Sequence, residues 1–232
     1  MESITTSLRI AGLIALAGAL LYTIGDVLLL ASKVKLDDYP KLKPFAKLLS
    51  DAEKMVVLSP NRLLWGALLG VFATPFMLIG YWQIYQGLGE TNASWALTIV
   101  GLFGTASVIG AFAHGTFYYM GEYVHALNKV QDDSQPVIAE MIARHRKVLI
   151  VTYVPVLLLI LLASILFSVL VAAGKTSFPV WMAAINPVTM TIAWLLFKRV
   201  LPQFVRDWTE GAGFNIAYIL FFACTTTSLW NG

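Results

Sequence analysis

A single aspartate, Asp26, stands inside an otherwise apolar run, in the segment Tyr22-Thr23-Ile24-Gly25-Asp26 followed by Val-Leu-Leu-Leu. A second run carries His114, Tyr118, Glu122 and His125. At about 100° per residue these four fall within roughly 80° of arc on a helix and form one polar stripe. Ser107 and Gly110 extend that face with small residues. A third run opens near Gly211 and places Asn215 and Tyr218 one turn apart, and Thr152 and Tyr153 stand early in a fourth. An ionisable group at the centre of a membrane-spanning helix costs about 2.5–3.5 kcal/mol on insertion scales. Such groups therefore turn inward, and they either bind helices together or do chemistry. A carboxyl group, an imidazole and phenols at one depth suit acid–base work. Asp26 or Glu122 would be the general acid and His114 the base or orienter. Tyr22, Tyr118, Asn215 and Tyr218 would hold a substrate. A carboxyl group taken out of water favours its protonated form, which an acid requires.

The elements that must position these groups are long apolar segments. The chain has 232 residues, 58% hydrophobic and 12% charged, where a soluble domain carries roughly 25% charged residues. So apolar a chain cannot cover itself with polar surface, which makes lipid the solvent for much of it. Unbroken runs of about 20 residues fit spanning helices rather than the alternating ten-residue segments of a barrel. Six are expected, at 8–31, 63–85, 95–120, 148–174, 180–197 and 212–230, in one integral membrane domain covering 1–232. The first is too long for the apolar part of a signal peptide and has no small-residue exit. The fold class is all-α, a polytopic helical bundle.

Sidedness follows from Lys and Arg. The loops after the first, third and fifth runs hold 14 of the 16 basic residues, leaving Arg9 and Lys175 on the other side. Basic loops stay cytoplasmic, which predicts a multi-pass protein of the cell (inner) membrane with both termini extracytoplasmic and the polar groups in the cytoplasmic half. Within the first basic loop, Phe45, Leu48, Leu49, Ala52, Met55 and Val56 recur at helical spacing with Lys47, Asp51 and Lys54 opposite. This predicts an interfacial amphipathic helix over 44–57, lysines toward lipid headgroups. Ser134-Gln135-Pro136 reads as a helix start, with Glu140 and Arg144 pairing at i, i+4. The Gly66-x-x-x-Gly70 pattern permits close helix packing within the chain.

Several chemistries lack their residues. There is no HxxxH, HxxHH or HExxH pattern and no P-loop, and no lysine stands within a span. The one cysteine, Cys224, forms no intrachain disulfide or cysteine-based metal cluster. Neither a metal nor a cofactor is expected. The stretch Gly211-Ala-Gly-Phe-Asn-Ile-Ala-Tyr218, the closing Ser228-Leu229-Trp230-Asn231, Gly25-Asp26 and Ala113-His114-Gly115 resemble an uncharacterised family of bacterial multi-pass membrane proteins. That resemblance implies a class of protein and no activity. Three functions fit the residues: a small membrane enzyme acting on an isoprenoid or lipid-like substrate, a proton-coupled carrier of small molecules, and a non-catalytic membrane protein whose polar cluster joins helices. Membrane lipids and a hydrophobic small molecule are the expected partners. Nucleic acid is not, and the oligomeric state is open.

Overall fold

The computed structural model describes residues 2–89 and 92–230. No strand occurs among them. Four helices are long and apolar enough to cross a membrane: α1 (Glu2–Leu30), α2 (Pro60–Leu88), α3 (Ala93–Lys129) and α4 (Gln135–Ala172). Two shorter helices complete the bundle, α5 (Pro187–Phe197) and α6 (Gly213–Ser228). α1 packs along α2, α2 on α3, α3 on α4, and α6 closes against α1 and α5. The outer faces are apolar: Leu97, Val151, Leu158 and Val169 are each at least 60% exposed. An exterior of that kind suits lipid and not water.

Six transmembrane helices are therefore not supported, and the correction falls on the last two runs. The fifth breaks into a 3-10 turn, Val180–Ala184, and the 11-residue α5. Pro187 bars Asn186 from helical backbone, and Asn186 is extended (φ −144°, ψ 166°). Its side chain accepts from the backbone N–H groups of Val188 and Thr189, both at 3.0 Å, and its own amide donates to Ser168 Oγ at 3.0 Å. The break is thus a capped helix start anchored to α4. α6 has only 16 residues.

The expected interfacial helix also needs correction. Residues 44–57 form a 3-10 turn (Lys43–Phe45), one α-turn (Ala46–Leu49) and a second 3-10 segment (Ala52–Val57). Ser50 (φ 45°) and Asp51 (φ 76°) stand between them in left-handed backbone, which ends a helix. The apolar residues of this strap do not face outward. Leu42, Leu49, Met55 and Leu58 are buried against Leu63, Met120, Val124 and Ile142 at the end of the bundle.

The bundle has two distinct ends. At one, Arg9 Nε donates to the Trp230 carbonyl at 2.9 Å, Asn92 Nδ2 to the Lys175 carbonyl at 2.7 Å, and the Ser177 N–H to the Gly87 carbonyl at 2.8 Å. At the other, Arg62 Nε donates to the Leu28 carbonyl at 2.7 Å and Lys41 to the Val130 carbonyl at 2.7 Å. There Lys54 pairs with Glu210 at 3.1 Å, Lys33 pairs with Asp207, and Arg146 donates to the Leu48 carbonyl. The three basic segments thus gather at one end. Glu140 and Arg144 pair there at 2.5 Å. Ser134 stands at the N-cap of α4, but its side chain makes no capping bond.

Candidate functional site

The site begins with the packing of α1 on α2 and α3. Glycine makes that approach possible. A Cβ on Gly70 would lie 2.4 Å from His114 Nδ1, and one on Gly25 would lie 2.8 Å from the Gly66 carbonyl and 3.2 Å from His114 Cε1. The His114 ring lies on this glycine floor, with Tyr22 edge-on at 5.3 Å between centroids and Phe117 at 6.2 Å. Tyr22 is fixed in turn by its hydroxyl, 2.8 Å from Thr74 Oγ1.

Asp26 is 8% exposed and His114 is 4% exposed. Asp26 Oδ1 lies 3.2 Å from His114 Nε2, and Asn215 Nδ2 donates to Asp26 Oδ2 at 2.6 Å. The two polar stripes therefore meet, and α6 joins them. His114 Nδ1 is 3.0 Å from the Ala67 carbonyl. A carbonyl oxygen can only accept, so Nδ1 carries a proton and Nε2 is the nitrogen that works with Asp26. The contact between Nε2 and Oδ1 needs one proton, on either atom. The couple is a carboxylic acid facing a neutral imidazole, or a carboxylate facing an imidazolium. Both forms are neutral overall. Burial of an isolated charge would be costly, and this arrangement has none.

A cavity of about 320 Å³ opens beside the couple. Asp26, His114, Asn215, Tyr22 and Tyr218 line it. Ser107, Gly110 and Phe117 of α3, Tyr153, Leu157 and Ile160 of α4, and Phe214 of α6 form half of its remaining wall. Tyr218 is buried, with its ring edge-on to Phe214 at 5.4 Å. Two expected members stand elsewhere. Tyr118 packs on Tyr119 at 5.4 Å and among the residues under the strap, and Glu122 is half-buried outside the cavity. The cause is helical drift. Each step of four residues turns a face by about 40°, so by Glu122 the stripe has turned about 80° from His114. His125 serves the strap, with Nε2 at 2.9 Å from the Leu58 carbonyl. Thr152 turns its hydroxyl back to the Val148 carbonyl at 2.9 Å, leaving Tyr153 as the polar group α4 brings to the cavity. Phe117, Leu157, Ile160 and Phe214 were not legible in the sequence, because an apolar residue in an apolar helix carries no mark of the wall it faces. Among the described residues, no three His, Cys, Asp or Glu side chains converge to hold a metal ion.

Fold and site together define a class: an all-helical bundle with four helices of membrane-crossing length, enclosing a buried Asp–His couple at the edge of an apolar cavity. The chain belongs to DUF6796, a family of unknown function whose profile matches residues 1–231. No curated protein and no solved structure matches it.

Proposed function

We propose that this is a single-domain, multi-pass membrane enzyme that binds a hydrophobic, isoprenoid or lipid-like substrate and transforms it by acid–base chemistry. The observation that carries the proposal is the cavity against the Asp26–His114 couple. A cluster that only joins helices needs no empty volume beside it. In this reading the couple stores one proton. Asp26 passes it to an alkene or carbonyl of the substrate, a neighbouring carbon gives a proton back, and His114 Nε2 restores the couple. The net change is an isomerisation, which consumes no oxidant and no co-reactant. Asn215 holds Oδ2 in place, and Tyr22 and Tyr218 shape the substrate's bed. Glu122 and Tyr118 take no part.

The same reading sets the broken 180–197 segment and α6 in one bilayer with α1–α4. The end that gathers the basic segments is then cytoplasmic by the positive-inside rule, and both termini lie on the far side of the cell membrane. A reporter fused after Gly232 reads as extracytoplasmic in this arrangement, and one inserted at 37–43 as cytoplasmic.

The test is conversion of lipid. Wild-type protein and Asp26→Asn, each in nanodiscs, are incubated with a neutral-lipid extract of the membrane in which the protein was expressed, and products are profiled by mass spectrometry. The expected result is at least one lipid consumed and an isomer of equal mass formed by the wild type alone. Equal profiles for the two proteins, with both folded, would return the couple to a role in joining helices.

A further inference from the structure

The cavity's charge, length and polarity constrain its occupant more closely than "hydrophobic substrate". We infer that the cavity takes a neutral, single-chain lipid of roughly ten to fifteen carbons with one hydrogen-bonding head group, its head at Asp26 and Asn215 and its tail along α3. This rests on the functional reading above for the identity of the site, and it can fail or hold separately.

Charge comes first. Among the described residues, no Lys or Arg lines the cavity. The cations beside the basic end of its wall, at Leu29, Leu30 and Gly211, are committed: Arg62 to the carbonyls of Leu28 and Ala31, at 2.7 and 3.1 Å, and Lys54 to Glu210 at 3.1 Å. The Asp26–His114 couple is neutral in both its forms. A diphosphate, phosphate or ammonium head would therefore be buried without a counter-charge, which a site of this kind does not tolerate. A hydroxyl or carbonyl head needs only the hydrogen bonds that the couple and Asn215 offer.

Size comes second. On α3 the lining runs from Ser107 to Phe117, which at about 1.5 Å per residue is about 15 Å along the bundle. The volume of about 320 Å³ is about twice the roughly 150 Å³ that holds one benzene ring in an engineered apolar cavity of another protein. Length and volume agree on about a dozen carbons. Asp26, His114 and Asn215 sit together at one end. At the other, Ser107 is already bonded to the Tyr81 hydroxyl at 2.8 Å, and Met77, Ala106 and Ile160 make an apolar floor. The mouth is on the flank. Tyr153 is 40% exposed and Leu157 is 52% exposed, and both line the cavity where α4 faces outward. A molecule dissolved in the bilayer meets that opening before any in water.

The experiment uses nanodisc-held protein and defined probes. n-Alkanols of six to twenty carbons are added, unbound probe is removed, and retained alcohol is measured by mass spectrometry alongside thermal melting. Retention should peak near dodecanol and fall at least tenfold by octadecanol. Dodecyl phosphate and dodecylamine, which carry the same tail, should be retained at least tenfold less than dodecanol. A Cβ on Gly110 would meet nothing within 4 Å, so Gly110→Leu and Gly110→Phe enter open space without disturbing the fold. They should move the optimum to shorter chains, the phenylalanine further. A flat chain-length profile, equal retention of dodecyl phosphate, or no response to either glycine variant would overturn the inference. Alcohol binding with the predicted optimum but no lipid conversion sinks the catalytic reading alone. Conversion of a lipid with a charged head sinks this inference alone.

Discussion

Two buried polar clusters join α1, α2 or α3, and α6, one near each end of the bundle, and they are built differently. Toward the end that holds Arg9 and Trp230, Gln83 donates to the Leu8 carbonyl at 3.2 Å and to Thr226 Oγ1 at 3.3 Å. That cluster is packed solid: a Cβ on Gly12 would stand 2.2 Å from Thr226 Oγ1 and 2.5 Å from Gln83 Nε2. At the basic end, Asp26, His114 and Asn215 make contacts of 3.2 and 2.6 Å, yet they border a cavity. Hydrogen bonding and burial are common to both. What separates them is the empty volume and the shared proton. A polar group in a helical bundle becomes a candidate for chemistry when its neighbours leave it room.

The sharpest break of this comparison is Asp26→Leu. It leaves His114 Nε2 and Asn215 Nδ2 without a partner in a buried site, at a cost of about 2–4 kcal/mol. Thermal unfolding in detergent should show a large loss for Asp26→Leu and near wild-type stability for Asp26→Asn. Equal loss in both variants would mean that the negative charge, and not the pairing, holds the helices.

Next in size is Gly70→Ala. The new methyl group would overlap the His114 ring, 2.4 Å from Nδ1, and overpacking of this kind costs about 1–3 kcal/mol. Asp26 and His114 both remain, but the ring must leave its floor. Lipid conversion should fall at least tenfold while the protein still folds, as judged by gel filtration. Full conversion by Gly70→Ala would show that the position of His114 is immaterial.

At the solid cluster the expected change is smaller. Gln83 Oε1 is buried with no partner among the described residues. Gln83→Leu removes that orphan together with two long hydrogen bonds, so stability should move by no more than about 1 kcal/mol. Alcohol retention and lipid conversion should not change. A loss of either would erase the distinction between adhesive and site.

The smallest effect lies in the ion pairs that tie Lys33, just past α1, and Lys54 of the strap to the 203–211 segment, beside the cavity wall at Leu30 and Gly211. The hydrogen bond and charge of Lys33 hold the Asp207 carboxyl below the usual aspartate range. Burial by itself would lower Lys54, but the hydrogen bonds and charges of Glu210 and Asp51 outweigh it and hold the amine above the usual lysine value. The Asp207 contribution is complete above about pH 4, the ordinary aspartate value, and is lost as pH falls through the lower folded value. The Lys54 contribution is complete below about pH 10.4, the ordinary lysine value, and is lost as pH rises through the higher folded value. Amide hydrogen exchange of residues 203–211, corrected for its intrinsic pH dependence, should be slowest between these limits and rise on both sides. Glu210→Gln should remove the alkaline limb. A flat profile would show that apolar packing alone seats the segment.

The amino-acid sequence by itself determined that the chain is helical and apolar on its outside, because unbroken hydrophobic runs leave water and away from water a helix satisfies a run's backbone groups from within. It also determined that 14 of 16 basic residues segregate into alternate loops, which the bundle then gathers at one end. The depths of Asp26, His114 and Asn215 followed from counting residues, and depth was enough to bring them together, since each must turn away from an apolar exterior. Tertiary structure decided the rest. Whether a stripe stays inward depends on the neighbouring helix as well as on period, and so Glu122 and Tyr118 drifted out of the site. The strap over 44–57 has an apolar face at helical spacing, yet it buries that face in the protein through left-handed backbone at Ser50 and Asp51, because α2–α4 offered it a surface. The break at Asn186, capped by that residue's own side chain, was tied to α4 because Ser168 stood within reach. Above all the cavity belongs to no single run: its volume is what the side chains of five helices fail to fill, a property of packing that no one-dimensional pattern contains.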